Sequence, residues 1–417
     1  MPNSLTPLTR SIKKIVTRSA LIAAGSTLTA AAVVVAVDHW QKREEQRDAL
    51  FPFLDPMTVD IDGTEATIYT YGEHVFAEML KAIHEAKSSV YLESYIWKGD
   101  KMGRTFKDAV IDAAQRGVDV YLVYDGFANL VVPREFYKFP SNIHVLRYPI
   151  FRPKVLLLDL KYTGRNHRKI LVVDERIGFV GGFNIGSLYA TQWRDTHLKV
   201  TGPGVWELTS AFETFWNRNR TDNLPEIDPH HTADWLPRIQ TAENAPIRQV
   251  YPVRNIYLEA FKRATHHIFL TQAYFIPDEV FLNDLLDAAA RGVDVRLIVP
   301  AASNHVLTDW LSRGQYSKML RGGVSIWLYQ NAMVHAKTMT VDGQWTTIGT
   351  ANIDRLSLQG NYEINMEIYD ERLAQNMERV FETDMSNCRQ LSLEEWEARP
   401  FLNRVGEFLL APLSPLL

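Results

Sequence analysis

The sequence predicts an α/β protein in which two similar α/β/α domains, each with a mixed, mainly parallel sheet, pack about a pseudo-twofold axis and follow one hydrophobic helix. Three observations predict this fold: an internal repeat, the succession of helix and strand patterns in each copy, and a charge-free stretch near the amino end. The repeat is the segment DAAQRGVDV at residues 112–120, which returns as DAAARGVDV at residues 287–295. Such self-similarity indicates that a folding unit was duplicated.

Each copy of the repeat has the pattern of half a βαβ unit. An amphipathic helix ends at Gly117 or Gly292, and a β-branched run typical of a buried parallel strand follows it. Strands are also predicted before each helix, at residues 89–97 and 267–276. The patterns therefore predict one α/β layer in each half of the chain.

The charge-free stretch covers residues 19–37. As a helix it would reach about 28 Å, which is close to the hydrocarbon thickness of a bilayer. The preceding 18 residues carry four basic and no acidic side chains, so the positive-inside rule places the amino end in the cytoplasm. Residues 1–50 are predicted to be a basic leader and a single uncleaved membrane anchor. A cleaved signal peptide and an interfacial helix are the alternatives, and the basic pair Lys42 and Arg43 leaves the sidedness open.

Domain boundaries follow from the repeat and from local composition. The first domain is predicted at residues 51–220 and the second at residues 247–395. Residues 221–246 contain four prolines and no apolar period, which predicts a linker. The apolar end of the chain, residues 396–417, is predicted to be a tail that packs on the protein or lies on a membrane.

Composition excludes several functional classes. The single cysteine, Cys388, allows neither an intrachain disulfide nor a thiolate metal cluster. The 45 basic and 49 acidic side chains give a formal net charge of −4. Because the first 18 residues contribute +4, the remaining chain carries −8, which argues against a dedicated nucleic-acid binder. The composition is therefore that of an ordinary globular protein whose stability comes from packing.

The strongest functional signal is a duplicated HxKxxxxD pattern, HRKILVVD at residues 167–174 and HAKTMTVD at residues 335–342. The register continues beyond the pattern: an asparagine follows each histidine by 17 residues and an acid by 28. A purely structural repeat preserves apolar positions and turns, and gives no reason to retain polar residues at equal offsets. The candidate residues are His167, Lys169, Asp174, Asn184 and Asp195 in the first half, and His335, Lys337, Asp342, Asn352 and Glu363 in the second.

These residue types suit chemistry at a phosphodiester. In a strand, the side chains of His167 and Lys169 point to one face, as do those of the second copy, so a pseudo-twofold arrangement would bring two imidazoles and two ammonium groups to one pocket. One histidine can attack phosphorus while the other moves protons to and from the alcohols. Lysine ammonium groups and asparagine amides can bind the non-bridging oxygens, and no metal or other cofactor is required.

The acids receive supporting tasks. Asp195 and Glu363 are expected to accept the Nδ1 proton of the histidine in their own half, so that Nε2 faces the phosphate. Asp174 and Asp342 are expected to support the turn that follows them.

GGFNIG at residues 181–186 is read as a turn beside the pocket, because its glycine spacing does not fit a dinucleotide loop.

Two further groups of side chains stay open to two readings. The aromatics after the first strands either line the entrance or pack in the core, with core packing preferred. They are Tyr95, Trp97, Tyr274 and Phe275. Arg194 and Arg355 either contact a headgroup phosphate or pair with carboxylates.

The doubled motif, followed by a glycine-rich stretch and asparagine, resembles the phospholipase D superfamily. Residues 164–186, 192–203 and 361–369 are similar to bacterial cardiolipin synthases, although that family often has two hydrophobic spans where this chain has one. The resemblance implies a phosphatidyltransferase of the bacterial cell membrane that joins two phosphatidylglycerol molecules into cardiolipin and releases glycerol. It also implies a phosphohistidine intermediate, with His167 favoured as the nucleophile.

Three other functions remain as alternatives to this reading. A hydrolytic phospholipase D is the nearest, a nucleic-acid phosphodiesterase is disfavoured by the charge of −8, and a non-enzymatic membrane scaffold is disfavoured by intact catalytic residue types in both halves.

Overall fold

The computed structural model describes residues 50–150, 164–232 and 235–412. The anchor predicted at residues 19–37 lies outside these ranges. Within them, no helix has both the length and the apolar character needed to cross a bilayer.

The described residues of the first half form nine strands and four α-helices. The strands are β1 (Met57–Ile61), β2 (Thr64–Tyr69), β3 (Ser89–Ser94), β4 (Asp119–Asp125), β5 (Ile143–Tyr148), β6 (Ile170–Val173), β7 (Ile177–Gly181), β8 (Trp193–Arg194) and β9 (His197–Thr201). The helices are α1 (Gly72–Glu85), α2 (Lys101–Gln115), α3 (Ser187–Thr191) and α4 (Val205–Asn219). All strands except β8 form one eight-stranded sheet in the order β1-β2-β9-β7-β6-β3-β4-β5.

The second half repeats this plan. Its strands are β10 (Ile239–Glu243), β11 (His267–Gln272), β12 (Asp294–Pro300), β13 (Ser325–Tyr329), β14 (Met333–Val334), β15 (Lys337–Val341), β16 (Trp345–Gly349), β17 (Ile364–Tyr369) and β18 (Cys388–Leu391). Its helices are α5 (Pro252–Arg263), α6 (Glu279–Ala290), α7 (Val306–Arg313), α8 (Tyr316–Arg321), α9 (Glu371–Met385), α10 (Leu393–Glu397) and α11 (Phe401–Leu410). A second eight-stranded sheet has the order β10-β17-β16-β15-β11-β12-β13-β18.

The duplication is visible in the topology. Strands β2, β9, β7, β6, β3, β4 and β5 match β10, β17, β16, β15, β11, β12 and β13 in order and direction, and each sheet adds one strand at an opposite edge. The repeated helices end as predicted, because Gly117 and Gly292 have φ of 90° and 92°, a conformation that glycine adopts without strain.

The prediction of mainly parallel sheets is wrong. Each sheet has two parallel pairings, β3-β4-β5 or β11-β12-β13, and its other five pairings are antiparallel. Continuous apolar runs report that both faces of a strand are buried, and helices can cover both faces of an antiparallel sheet as well. The sequence pattern therefore revealed burial and left strand direction undetermined.

The predicted linker is shorter than residues 221–246. Residues 239–243 form β10, an edge strand of the second sheet paired with β17. The preceding segment is held by the first half: the Trp216 indole N–H donates to the Pro225 carbonyl at 2.9 Å. In the same segment, His230 pairs through Nε2 with Glu175 at 3.1 Å.

One hydrophobic core joins the two halves. Most of its buried side chains come from β2, β6, β7, β9 and α4 of the first half and from β16, β17 and α9 of the second. Contacts also cross reciprocally, because α4 touches β10 and α9 touches β1. Separate cores lie on the outer face of each sheet, under α1 and α2 in the first half and under α5, α6 and α8 in the second. The shared core fixes the relative position of the sheets.

The end of the chain packs on the second half. Helix α11 contacts α7, and Leu410 is buried with Ile276 and Leu311. Phe401 and Phe408 of the same helix are 74% and 79% exposed. The predicted tail therefore packs on the protein through one face and exposes aromatic rings on another.

The shared core makes a prediction about cooperativity. Phe212 is fully buried in it and stacks on Tyr91 with ring centroids 5.0 Å apart. We expect Phe212→Ala to lower the free energy of unfolding by about 3–5 kcal/mol and to shift one common thermal transition of both halves. Calorimetry measures this, with Val280→Ala at an exposed site of α6 as the control. Two separate transitions, with only one shifted, would contradict a shared core.

Candidate active site

Both motif histidines lie on segments that lead into a strand. His167 and Lys169 precede β6, whereas His335 lies between β14 and β15 and Lys337 opens β15. The expectation that each HxK pattern lies within a strand is therefore wrong for both histidines and for Lys169. The backbone of each histidine segment is still paired through main-chain hydrogen bonds, but its partner segment belongs to the other half of the chain.

That pairing is reciprocal. The backbone N–H of His167 donates to the carbonyl of Tyr362 at 3.0 Å, and residues 166 and 362 form a parallel bridge. The backbone N–H of His335 donates to the carbonyl of Arg194 at 2.6 Å, beside the parallel pairing of β14 with β8. Each half thus holds the histidine segment of the other through main-chain hydrogen bonds.

The carboxylates follow the same exchange. His167 Nδ1 lies 2.9 Å from Glu363 Oε2, and His335 Nδ1 lies 2.7 Å from Asp195 Oδ2. The prediction that each acid serves the histidine of its own half is therefore wrong. Equal offsets showed that the acids are equivalent but could not show which histidine each one meets, because that depends on how the halves pack.

Both imidazoles line one cavity of about 250 Å³, together with Asn184 and Asn352. Aromatic rings of the first half support both histidines: the Tyr95 ring lies 4.6 Å from His167, and the Trp193 ring lies 5.0 Å from His335. With each Nδ1 directed at a carboxylate, Nε2 is the ring nitrogen left for a ligand.

Burial keeps both imidazoles neutral. It lowers the pKa of His167 against the opposing effect of Glu363, and it lowers the pKa of His335 well below the ordinary value, assisted by the ammonium groups of Lys337 and Lys169. Burial also raises the pKa of Asp195 to about 6. A neutral imidazole that donates from Nδ1 has its lone pair on Nε2, which is the form required of a nucleophile or a base.

The lysines lie outside the wall of the cavity. Lys169 Nζ donates to the carbonyl of His167 at 2.6 Å, and Lys337 Nζ donates to the carbonyl of His335. Burial lowers the pKa of Lys169 to about 7 and that of Lys337 to about 8, while Glu363 and Asp195 favour the charged forms. Both ammonium groups therefore lie in a low-dielectric layer beside the histidines, where their charge acts strongly.

The two asparagines differ in how their amides are held. Asn184 Oδ1 accepts from the backbone N–H of Ile96 at 3.1 Å, which leaves its NH₂ group for a ligand. Asn352 Oδ1 is buried and has no hydrogen-bond partner among the described residues.

Asp174 and Asp342 lie away from the cavity. The Asp174 carboxylate accepts from the backbone N–H groups of Lys87, Ser88 and Ser89 at 2.7–3.0 Å. Asp342 binds the N–H groups of residues 265–267 in the same way. Each acid thus holds the turn that enters the neighbouring strand, β3 or β11, whereas the sequence reading assigned it to the turn after the motif.

Two buried ion pairs lie beside the motifs; sequence reasoning missed that of Arg168 and left that of Arg194 open. Arg168 binds Glu93 at 2.7 Å and Glu243 at 2.9 Å. Arg194 binds Asp384 through two hydrogen bonds of 2.7 and 2.8 Å, so of its two readings the pairing with a carboxylate is correct. The repeat could not reveal either arginine, because the equivalent positions hold Ala336 and Tyr362. A charged side chain within an otherwise apolar, buried segment was the available signal.

The aromatic side chains divide between the two readings. Tyr95 and Tyr274 line the cavity, whereas Trp97 and Phe275 are buried in the core.

The glycine-rich turn lies beside the site as expected: a Cβ on Gly182 would stand 2.0 Å from Asp195 Oδ1. The equivalent residue, Thr350, donates its hydroxyl to Glu363 at 2.6 Å.

Comparison with known proteins agrees with this geometry. The family model described as "Cardiolipin synthase, PLD-like domain" matches residues 79–216 and 257–385. The chain belongs to this family. It is 31% identical over 360 residues to the major cardiolipin synthase ClsA of Bacillus subtilis, covering 84% of this chain and 75% of that protein. Cardiolipin synthase 2 of Staphylococcus epidermidis is 33% identical over 375 residues, covering 87% and 75%.

Solved structures support the fold of this family member. The phosphatidylserine synthase of Haemophilus influenzae superposes with a TM-score of 0.63 at 16% identity, over 90% of this chain and 97% of that one. The polyphosphate kinase of Porphyromonas gingivalis superposes with a TM-score of 0.54 at 14% identity, over 86% of this chain and 54% of that one.

The exchanged acids can be tested by ¹⁵N-histidine NMR. Glu363→Gln removes the carboxylate partner of His167, so we expect the Nδ1 resonance of His167 to shift while that of His335 stays in place. Asp195→Asn should have the reverse effect. If the acids served their own halves, the two variants would give the opposite assignments.

The role of Asp174 predicts a pH-dependent effect on stability. Burial alone would raise its pKa, but the surrounding N–H groups together hold it below the ordinary value of 3.8. The charged form therefore stabilises the fold above that pH, and the contribution is lost as pH falls through the lower, folded-state pKa. We expect Asp174→Asn to cost about 1–3 kcal/mol at pH 7 and less at pH 3. Denaturant unfolding at both pH values measures it, and an equal cost at both would exclude the carboxylate.

Proposed function

We propose that this chain is a cardiolipin synthase that transfers a phosphatidyl group from one phosphatidylglycerol to another and releases glycerol. The observation that carries the proposal is the presence of two imidazoles on one cavity, each with Nδ1 within hydrogen-bond distance of a buried carboxylate. This arrangement supplies a nucleophile and a proton carrier for a double displacement at phosphorus. Family membership supports the lipid substrate.

In the first step, Nε2 of His167 attacks the phosphorus of phosphatidylglycerol and the bond from phosphorus to the glycerol oxygen breaks. His335 gives its proton to that oxygen, and glycerol leaves. Burial lowers the pKa of His335, but a bound phosphodiester brings a negative charge that favours the imidazolium. The proton needed by the leaving group is therefore held once the substrate is bound.

In the second step, His335 accepts the proton of a hydroxyl on the second phosphatidylglycerol. That oxygen attacks phosphorus, the bond from phosphorus to His167 breaks, and cardiolipin leaves. Glu363 stabilises the positive charge on the phosphorylated His167 ring, and Asp195 stabilises the imidazolium of His335. We assign the attack to His167 because the family resemblance favours the first motif.

The neighbouring groups lower the cost of negative charge on phosphorus. The ammonium groups of Lys169 and Lys337 act through a low dielectric, and the NH₂ group of Asn184 donates to a non-bridging oxygen. We assign Asp174 and Asp342 a structural role that keeps the motif strands in place.

The proposal also places the protein at a membrane, because its substrates are bilayer lipids. Residues 19–37 would provide the anchor, in a single span. Hydrolysis by the same first step would give phosphatidic acid, and a nucleic-acid phosphodiesterase would cleave DNA instead of lipid.

Product analysis tests the function. Purified protein with phosphatidylglycerol in detergent is expected to give cardiolipin and glycerol, and His167→Ala and His335→Ala should each reduce turnover at least about 10³-fold because each removes one partner of the double displacement. The His335 variant should accumulate a phosphatidyl adduct. His84→Ala, at an exposed site, is the control. Phosphatidic acid as the sole lipid product would support hydrolysis, and near-native turnover in either variant would refute the shared site.

A further inference from the structure

Resting on the proposed function, we propose that the second half of the chain forms a subsite for a glycerol-type diol on one wall of the cavity, and that Asp354 is the residue that selects such an alcohol over water. The ligand class is a neutral polyol: the glycerol headgroup of the acceptor lipid and the glycerol that leaves the donor.

The first observation is that the catalytic residues are duplicated but the cavity wall is not. Apart from histidine and asparagine, the first half contributes mostly aromatic and apolar side chains. They are Tyr95, Ile96, Tyr189 and Trp193. The second half contributes Tyr274, Ile276 and Leu356 and, in addition, a group of polar side chains. They are Asn304, His305, Thr308, Asp354, Ser357 and Asn361. Outside the repeated histidines and asparagines, the carboxylate, amide and aliphatic hydroxyl groups of the lining therefore all come from the second half.

Asp354 is the clearest departure from the repeat. It follows His335 by 19 residues, and the equivalent residue of the first half is Gly186. The side chain lies on the cavity wall and the residue is 8% exposed. Its Oδ1 accepts from the backbone N–H of Ser357 at 2.7 Å and its Oδ2 accepts from the Ser357 hydroxyl at 3.2 Å. Each oxygen keeps acceptor capacity for a ligand.

The chemistry of this wall favours a neutral alcohol. A carboxylate repels a phosphate, so a second anionic group is excluded from the space beside Asp354. A diol offers two O–H donors, which one carboxylate can accept together. The buried Asn352 Oδ1, which has no partner in the described parts of the chain, is a further acceptor on this side. Burial raises the pKa of Asp354 to about 7, and hydroxyl donors bound to its oxygens would favour the charged form.

The location of the wall fits the proposed order of events. His335 belongs to the same half, and the Tyr274 ring lies 6.3 Å from it while the Tyr274 hydroxyl donates to Asn304 at 2.6 Å. An alcohol bound on this wall would lie next to His335, which the mechanism uses to protonate glycerol and to deprotonate the acceptor. Because the leaving and entering alcohols react through the same transition-state geometry, one subsite serves both.

Such a subsite would favour transfer of the phosphatidyl group to a lipid hydroxyl over its transfer to water. Water is always present at far higher concentration than a lipid hydroxyl, so transfer requires binding energy for the acceptor. A diol places two hydroxyls in the site in one binding event, an advantage that separate water molecules lack. Loss of Asp354 should therefore divert the phosphohistidine toward water without preventing its formation.

The test compares Asp354→Asn with the wild type in two assays. With a phosphatidyl p-nitrophenyl diester, whose leaving group makes no use of a diol site, release of nitrophenol should stay within about threefold of the wild-type rate. With phosphatidylglycerol, the ratio of cardiolipin to phosphatidic acid should fall at least about tenfold. The KM for glycerol in the reverse reaction with cardiolipin should rise similarly, while transfer to methanol should be unchanged.

Two more variants keep the test decisive. Thr308→Val removes one hydroxyl from the same wall at nearly constant volume. It should also lower the ratio of cardiolipin to phosphatidic acid, and it replaces Asp354→Asn as the test if that variant does not fold. Asp108→Asn, an exposed carboxylate of α2, is the matched control. An unchanged product ratio in folded Asp354→Asn, or an equal loss of transfer to glycerol and to methanol, would overturn the diol subsite. A wild-type protein that makes no cardiolipin would instead refute the proposed function.

Discussion

The structure depends on one reciprocal interaction, in which the imidazole of each half donates to a buried carboxylate of the other. The two contacts, 2.9 Å at His167 and 2.7 Å at His335, occur beside main-chain hydrogen bonds that cross between the halves. Each carboxylate would be costly if it stayed buried without its imidazole, and separating the halves would expose their common apolar core. Packing and chemistry therefore require the same relative position of the two sheets.

The electrostatics of the site follow from burial. Two acids, two lysines and two imidazoles are all buried, and burial moves the pKa of Lys169, Lys337 and Asp195 to about 7, 8 and 6. An anionic phosphodiester entering this environment would draw protons onto the cationic groups, which is the charge state that a transition state at phosphorus needs.

Much of this architecture could be predicted from the sequence, because duplication made equivalent residues recognisable by their offsets. The repeat identified both histidines, both asparagines and both acids of the site, and the glycines that end the repeated helices. Prediction from the repeat failed for residues that have no counterpart in the other copy and for features that depend on how distant segments pack. Arg168 and Arg194 have no counterparts, the acids cross between halves only after packing, and apolar runs did not reveal the direction of the strands. Residues 239–243 form a strand because β17 is available as a partner.

The exchange of acids also constrains how this protein can change. After an ordinary tandem duplication, one copy can decay or acquire a new task while its sister keeps the old one. Here, in the proposed mechanism, loss of the acid of either copy would impair a histidine of the other, so neither copy would be a spare. Substitutions that give one copy a new role are then expected at positions outside the imidazole–carboxylate pairs, such as Gly186 and Asp354, where the copies already differ. Divergence in such a molecule should therefore accumulate on the walls of the cavity and leave the shared machinery symmetric.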